Sequence, residues 1–154
     1  MMKRVKGGIK VVKGQIAMNT HGGAENRIQL FDGKFTTGYR ITEFRICPKS
    51  PQNQEEVMAV VSTEPRGGVP STIDFSSNIE VAYSFWNVPN QVDHSSWNWV
   101  IPDNMAIQDL WVSNYTTGDD THLNYYLILE KYEFAAWDGA ATLVRNQSQA
   151  GPSE

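Results

Sequence analysis

Ile79-Glu80-Val81-Ala82-Tyr83-Ser84-Phe85 sets Ile79, Val81, Tyr83 and Phe85 against Glu80 and Ser84. Successive side chains leave an extended strand on opposite sides, so this period of two predicts a strand with one face buried. Residues 57–63 form a nearly continuous apolar run, as expected of a strand covered on both faces. Residues 38–47, 105–113 and 123–132 add three further strand signals. In the first of these Ile41 is out of phase with Phe44 and Ile46, which predicts a β-bulge near Thr42-Glu43, and Pro48 and Pro51 end the run. Residues 26–31 and 34–37 flank Asp32-Gly33, a dipeptide suited to a tight turn, and predict a hairpin.

Breaks between these runs are rich in turn formers: Pro65 to Pro70, a polar and aromatic loop from Pro89 to Pro102, and Thr116 to Asp120. Only the tail departs from the rhythm, where Asp138 can cap a short helix over residues 139–145. About eight short strands predict an all-β protein, an antiparallel β-sandwich of single jelly-roll type with at most one short C-terminal helix. No internal repeat points to a propeller or solenoid. The 154 residues match one domain, divided here into a basic arm at residues 1–13, a sandwich at 14–149 and a polar tail at 150–154.

Charge is distributed unevenly along this length. Lys3, Arg4, Lys6, Lys10 and Lys13 all precede the first acidic residue, Glu25. Residues 1–66 carry 11 basic and 6 acidic side chains, net +5; residues 67–154 carry 2 and 11, net −9, together the −4 of the chain. This polarity suits a leading segment that contacts a neighbouring subunit or nucleic acid through its five cations. With Gly7-Gly8 as a joint the segment reads as an arm; equally, Ile9, Val11 and Val12 read as an edge strand guarded by lysines. Head-to-tail attraction between the two halves is an alternative to nucleic-acid contact.

Five tryptophans, Trp86, Trp97, Trp99, Trp111 and Trp137, are many for this length, and Trp97-x-Trp99 falls on the expected loop. Exposed indoles need a cover, which is the domain's own core, a subunit interface or a sugar. Trp86, Trp97 and Trp99 are the candidate interface or ligand aromatics. A carbohydrate-binding module would stack sugars on them, with Asp93 and Asn98 as polar partners.

Chemical signatures are weak by comparison. His21, His94 and His122 lack zinc-motif spacing, and Asp93-His94 and Asp119-Asp120-x-His122 read as polar loops, so no metal is assigned. Neither Gly22-Gly23 nor Gly67-Gly68 leads into a phosphate loop, and no nucleophile elbow occurs. Glu55-Glu56 and Glu130/Glu133 read as solvated carboxylates. Cys47, the single cysteine, reads as an inert, partly buried thiol that can form no internal disulfide. No catalytic residue and no cofactor are expected, and the chain is read as a non-enzyme. No stretch approaches the roughly 18 apolar residues of a membrane span, and no apolar core follows the basic N-terminus, so the chain is read as soluble and not exported by a signal peptide.

Three patches carry a resemblance: Phe31 to Ile46, Asp109 to Val112, and Tyr125 to Tyr132 continuing through Val144 to Gln149. They resemble small β-rich proteins of marine bacteriophages that are taken to be virion components. The resemblance implies a shell or vertex subunit that self-associates symmetrically and contacts other virion proteins. It also implies a place in the virion, with the host cytoplasm before assembly, and it brings no catalytic residues with it.

Overall fold

Alternation of apolar and polar residues sorts the chain into two antiparallel sheets. The computed structural model describes residues 3–17, 25–51, 56–66, 73–87, 95–101, 105–116 and 122–135. These residues form β1 (Lys3–Ala17), β2 (Glu25–Ile28), β3 (Thr37–Pro48), β4 (Glu56–Ser62), β5 (Glu80–Asn87), β6 (Ser95–Val100), β7 (Leu110–Thr116) and β8 (His122–Glu133). One sheet has the order β1-β8-β3 and the other β2-β7-β4-β5-β6. The expected helix and polar tail lie outside the described residues.

Strand β8 shows how pattern becomes packing. Leu123, Tyr125, Leu127 and Leu129 are buried, while Asn124, Tyr126, Ile128 and Glu130 alternate with them on the outer face and are half-buried. The buried set meets Phe44 and Ile46 of β3 on its own sheet and Val57, Ala59, Val61, Leu110 and Val112 from the facing sheet. Burying one such leucine or phenylalanine contributes about 2 kcal/mol, so this interface between the sheets is the main source of stability. The bulge expected near Thr42-Glu43 is present, as a register shift between Ile41 and Glu43 against β8.

The sandwich is the expected one, but its strand order departs from a single jelly roll at β6. The pairs β1 with β8, β2 with β7 and β4 with β5 are those of an eight-stranded ribbon rolled on itself. That ribbon would next pair β3 with β6; instead β6 hydrogen-bonds to β5, and β7-β4-β5-β6 is a Greek key. The β5–β6 register sets Phe85 opposite Trp97 and Tyr83 opposite Trp99, and cross-strand aromatic pairs of this kind stabilise the pairing. β6 packs against β3 without pairing with it, and the Asn98 amide lies 3.0 Å from Phe44 O, to which its nitrogen donates once the amide is oriented to satisfy both its ends.

Four expectations need correction. The Asp32-Gly33 turn exists, with Gly33 at φ 84° and Asp32 accepting from Lys34 N and Thr37 Oγ1, but its flanks do not pair with each other. The turn carries the chain across from β2 in one sheet to β3 in the other, because Asp109 pins the Leu30 and Phe31 amides to the β7 side. The expected loop 89–102 contains strand β6. The strand expected from residue 105 begins at Leu110; the residues before it form an isolated bridge to β3, between Tyr39 and Ala106, and Met105 packs against Gly38. Finally, residues 3–13 are not an arm apart from a domain starting at 14. They belong to β1, which pairs with β8 from Lys3 to Ala17 across one register shift.

Candidate interaction surfaces

Two outward surfaces gather the residues singled out in the sequence. The first is the outer face of the five-stranded sheet. Met58 and Val60 of β4, Tyr83 and Phe85 of β5, and Trp97 and Trp99 of β6 point outward, as their registers require. Met58, Val60 and Tyr83 form a second buried cluster with Phe85 and Ile101 packed against it. Strand β5 is thus covered on both faces over residues 80–84, not on one. A register shift between Val61 and Ser62 turns both Val81 and Ala82 into the sandwich, leaving Tyr83 and Phe85 on the outer side.

The cover over Tyr83 is the connection between β4 and β5. Tyr83 Oη lies 2.7 Å from Asp74 O and 2.5 Å from Glu80 Oε2, its single proton shared between these two acceptors, and Phe75 meets the Tyr83 ring edge-on at 5.5 Å. Glu80, 3% exposed, also holds the Arg66 guanidinium at 2.5 Å, while Arg66 N donates to Glu25 Oε1. A buried carboxylate paired in this way fixes the segment on the sheet. Burial, then the hydrogen bond and charge of Glu80, push the Tyr83 hydroxyl well above its ordinary range, so it stays protonated and a donor.

Toward β2 the same face is closed by a second polar anchor. Asp109 accepts from Leu30 N, Phe31 N and Arg27, and Arg27 lies over the Trp111 ring at 5.8 Å. Burial alone would raise the Asp109 carboxyl; the two amides and the guanidinium outweigh it and hold the group below the usual carboxylate range.

At β6 the cover stops. Trp97 is 50% exposed and Trp99 37%, both on the same side of the edge strand, and Phe75 beside them is 62% exposed. Trp97 stacks on Phe85 with ring centres 5.3 Å apart, and Phe75 meets Trp99 edge-on at 6.4 Å. The structure therefore brings Trp97 and Trp99 together and separates Trp86 from them, since Trp86 turns inward and packs against the main core. Asn98 faces away from both tryptophans, toward Ser84 and Phe44. Phe75 and Phe85 complete this surface; Phe85 was legible as an outward partner only once its register was known.

The second surface is β1, the outer strand of the three-stranded sheet. Ile9 and Val11 stand 58% and 61% exposed, and Lys3, Arg4, Lys10 and Lys13 are exposed along the same strand. Lys6 lies in β1 as well. Arg4 pairs with Glu130 at 3.0 Å, and Lys10 sits 6.0 Å over the Tyr39 ring. Beside β1 a trough crosses the outer face between Lys13, Tyr126 and Arg45 on one wall and Gln15, Asn124 and Cys47 on the other. Tyr126 donates to Glu43, itself paired with Arg45 at 2.5 Å; burial first and this carboxylate second raise the Tyr126 hydroxyl above its ordinary value.

Among the described residues no group of three His, Cys, Asp or Glu side chains is placed to hold a metal ion, and no helix is long and apolar enough to cross a membrane. Glu130 and Glu133, three apart on β8, point to opposite faces. His21, His94, Asp93, Asp119, Asp120 and Trp137 lie outside the described residues.

No family model matches the chain, and no curated protein matches it in sequence. Among solved structures it is similar to a chain of Desmodium yellow mottle tymovirus, with 11% identity, a TM-score of 0.32, and 83% of this chain and 87% of that chain covered. That likeness is too distant to bear on fold or function.

Proposed function

We propose that the protein is a structural subunit of a virion, assembled by self-association through the outer face around β6. The observation that carries the self-association is the uncovered aromatic surface of Trp97, Trp99 and Phe75. The Glu80–Arg66 ion pair seals the adjoining part of the same face, whereas among the described residues nothing seals this part, and large exposed apolar patches with tryptophan anchors are the marks of subunit contacts. The assignment to a virion is supported by the three-patch resemblance to bacteriophage proteins, and an all-β sandwich with open strand edges suits packing of identical copies around a rotation axis. Other virion proteins are partners in this reading. Sedimentation velocity over a hundredfold range of concentration tests it: a closed oligomer of defined mass is expected, and a strict monomer throughout would contradict it.

A second reading, a carbohydrate-binding sandwich, is favoured by one feature, the two outward indoles two residues apart on β6. It loses Trp86 and Asn98, which face the other way. Retention of the protein on a glycan array, abolished by Trp99→Ala, would select it over self-association.

A further inference from the structure

Strand β1 presents an unpaired edge. It ends the order β1-β8-β3, so one of its two rows of backbone donors and acceptors pairs with no strand among the described residues, although near its C-terminal end Asn26 of β2 donates to Gln15 O and Asn114 of β7 to Ala17 O. An edge of this length is a template for strand addition, and proteins blunt such edges with lysines to stop identical copies from pairing. In β1 the guard is complete in sign: Lys3, Arg4, Lys6, Lys10 and Lys13 are the only charged residues it contains. Two copies paired edge to edge would bring ten cations together, and like charges opposite one another destabilise a sheet.

The same charges invite a different strand. Lys10 is opposite Leu129 and Lys13 opposite Tyr126, so they leave β1 on opposite faces, and both are exposed. A strand lying along this edge meets one cation above the sheet and one below it, three residues apart. Between them Val11 is 61% exposed, and with Ile9 it offers apolar contact to the alternate side chains of a visitor. On the Lys13 side the trough, lined also by Gly14, Tyr125 and Ile46, leads to Arg45, whose charge is paired with Glu43.

We propose that the β1 edge binds an extended acidic peptide segment of a partner protein by antiparallel or parallel strand addition. Carboxylates three residues apart on that segment engage Lys10 and Lys13, and its apolar side chains cover Ile9 and Val11. Main-chain hydrogen bonds supply affinity in this mode, and side-chain pairing supplies selectivity. A nucleic acid would use the cations but leave Ile9, Val11 and the backbone edge uncovered, so the exposed apolar pair favours a peptide.

The test uses the full chain and three synthetic probes. They are a ten-residue valine- and threonine-rich peptide with two glutamates three apart, the same peptide with lysines in their place, and a single-stranded oligonucleotide. Fluorescence anisotropy in low salt should show the glutamate peptide binding at least about tenfold more tightly than the lysine peptide, with the preference shrinking in high salt. N-methylation of alternate peptide nitrogens should abolish binding, which simple charge attraction would survive. Lys10→Glu with Lys13→Glu, both on exposed side chains, should reverse the preference between the two peptides. Equal binding of both peptides, indifference to N-methylation, or tighter binding of the oligonucleotide than of the glutamate peptide would each overturn the proposal.

Discussion

Under Arg66 and Phe75 the outer face of the five-stranded sheet holds Tyr83 fully buried, with its hydroxyl tied to Asp74 and Glu80; one strand away, on β6, the same face leaves Trp97 and Trp99 half in solvent. The two halves have the same kind of side chain and differ in what lies over them. Sealing the first half required a buried carboxylate and a guanidinium held against it, an arrangement that is stable only while both partners remain. Nothing comparable is built over β6 among the described residues. The proposed self-association would supply from another copy the cover that the described residues provide over Tyr83 and not over β6.

Breaking the sealed half should have the largest effect. Glu80→Ala leaves the Arg66 guanidinium and the Tyr83 hydroxyl without their buried partner, and a loss of about 3 kcal/mol is expected in urea unfolding. Glu80→Gln, which keeps an acceptor for Tyr83, should lose less. If Glu80→Ala unfolds at the wild-type midpoint, the seal is not a stability element and the contrast between the halves disappears.

Next comes the anchor at Asp109. Asp109→Asn removes the charge that holds Arg27 and weakens the grip on the Leu30 and Phe31 amides, for an expected loss of about 2 kcal/mol. Because the folded carboxyl is held below its ordinary value, its contribution is complete above the unfolded value of about 3.9 and is lost as pH falls through the lower folded value. The acid limb of a stability–pH curve should therefore be shallower in Asp109→Asn. An unchanged limb would remove Asp109 from the account.

A smaller effect is expected where β1 meets β8. A Cβ on Gly14 would lie 2.8 Å from Tyr125 Oη and 3.0 Å from its ring, so Gly14→Ala must displace that ring. A cost of about 1 kcal/mol is expected, with amide exchange in β1 rising more than in β4. Uniform change across both strands would show that β1 is not a separable edge.

On the open half, substitutions should scarcely touch stability. Trp97→Ser with Trp99→Ser removes exposed rings and one stacking contact with Phe85, for an expected change of within about 1 kcal/mol.

Much of the fold was legible because strand signals are local. The apolar run of β4, the bulge in β3 and the period of β8 were each readable from a dozen residues or fewer. Pairing was not, since it depends on partners distant in sequence. Asp32-Gly33 looked like a hairpin because a turn signal says where the chain reverses and not which strand it returns to; the deciding contact is Asp109, some 78 residues away from Phe31. β6 was hidden by its inverted pattern, with tryptophans outward and Ser96 and Asn98 on the other side, which reads as a loop when burial is assumed to follow hydrophobicity. Of the candidate surface, the shared side of Trp97 and Trp99 was legible, because a spacing of two places them on one side of any strand. Their separation from Trp86 was not, because a register shift in β5 decides which of its residues turn inward. The basic segment was equally consistent with arm and edge strand, since Lys and Val alternate acceptably in both; eleven paired positions with β8 distinguish them.

The most direct measurement of the central claim is the absolute mass of the protein by light scattering, wild type beside the Trp97→Ser, Trp99→Ser variant at matched concentration. An oligomer of defined mass is expected for the wild type and a folded monomer for the variant. A variant that keeps the wild-type oligomeric mass, or a wild type that is itself monomeric, would contradict that claim.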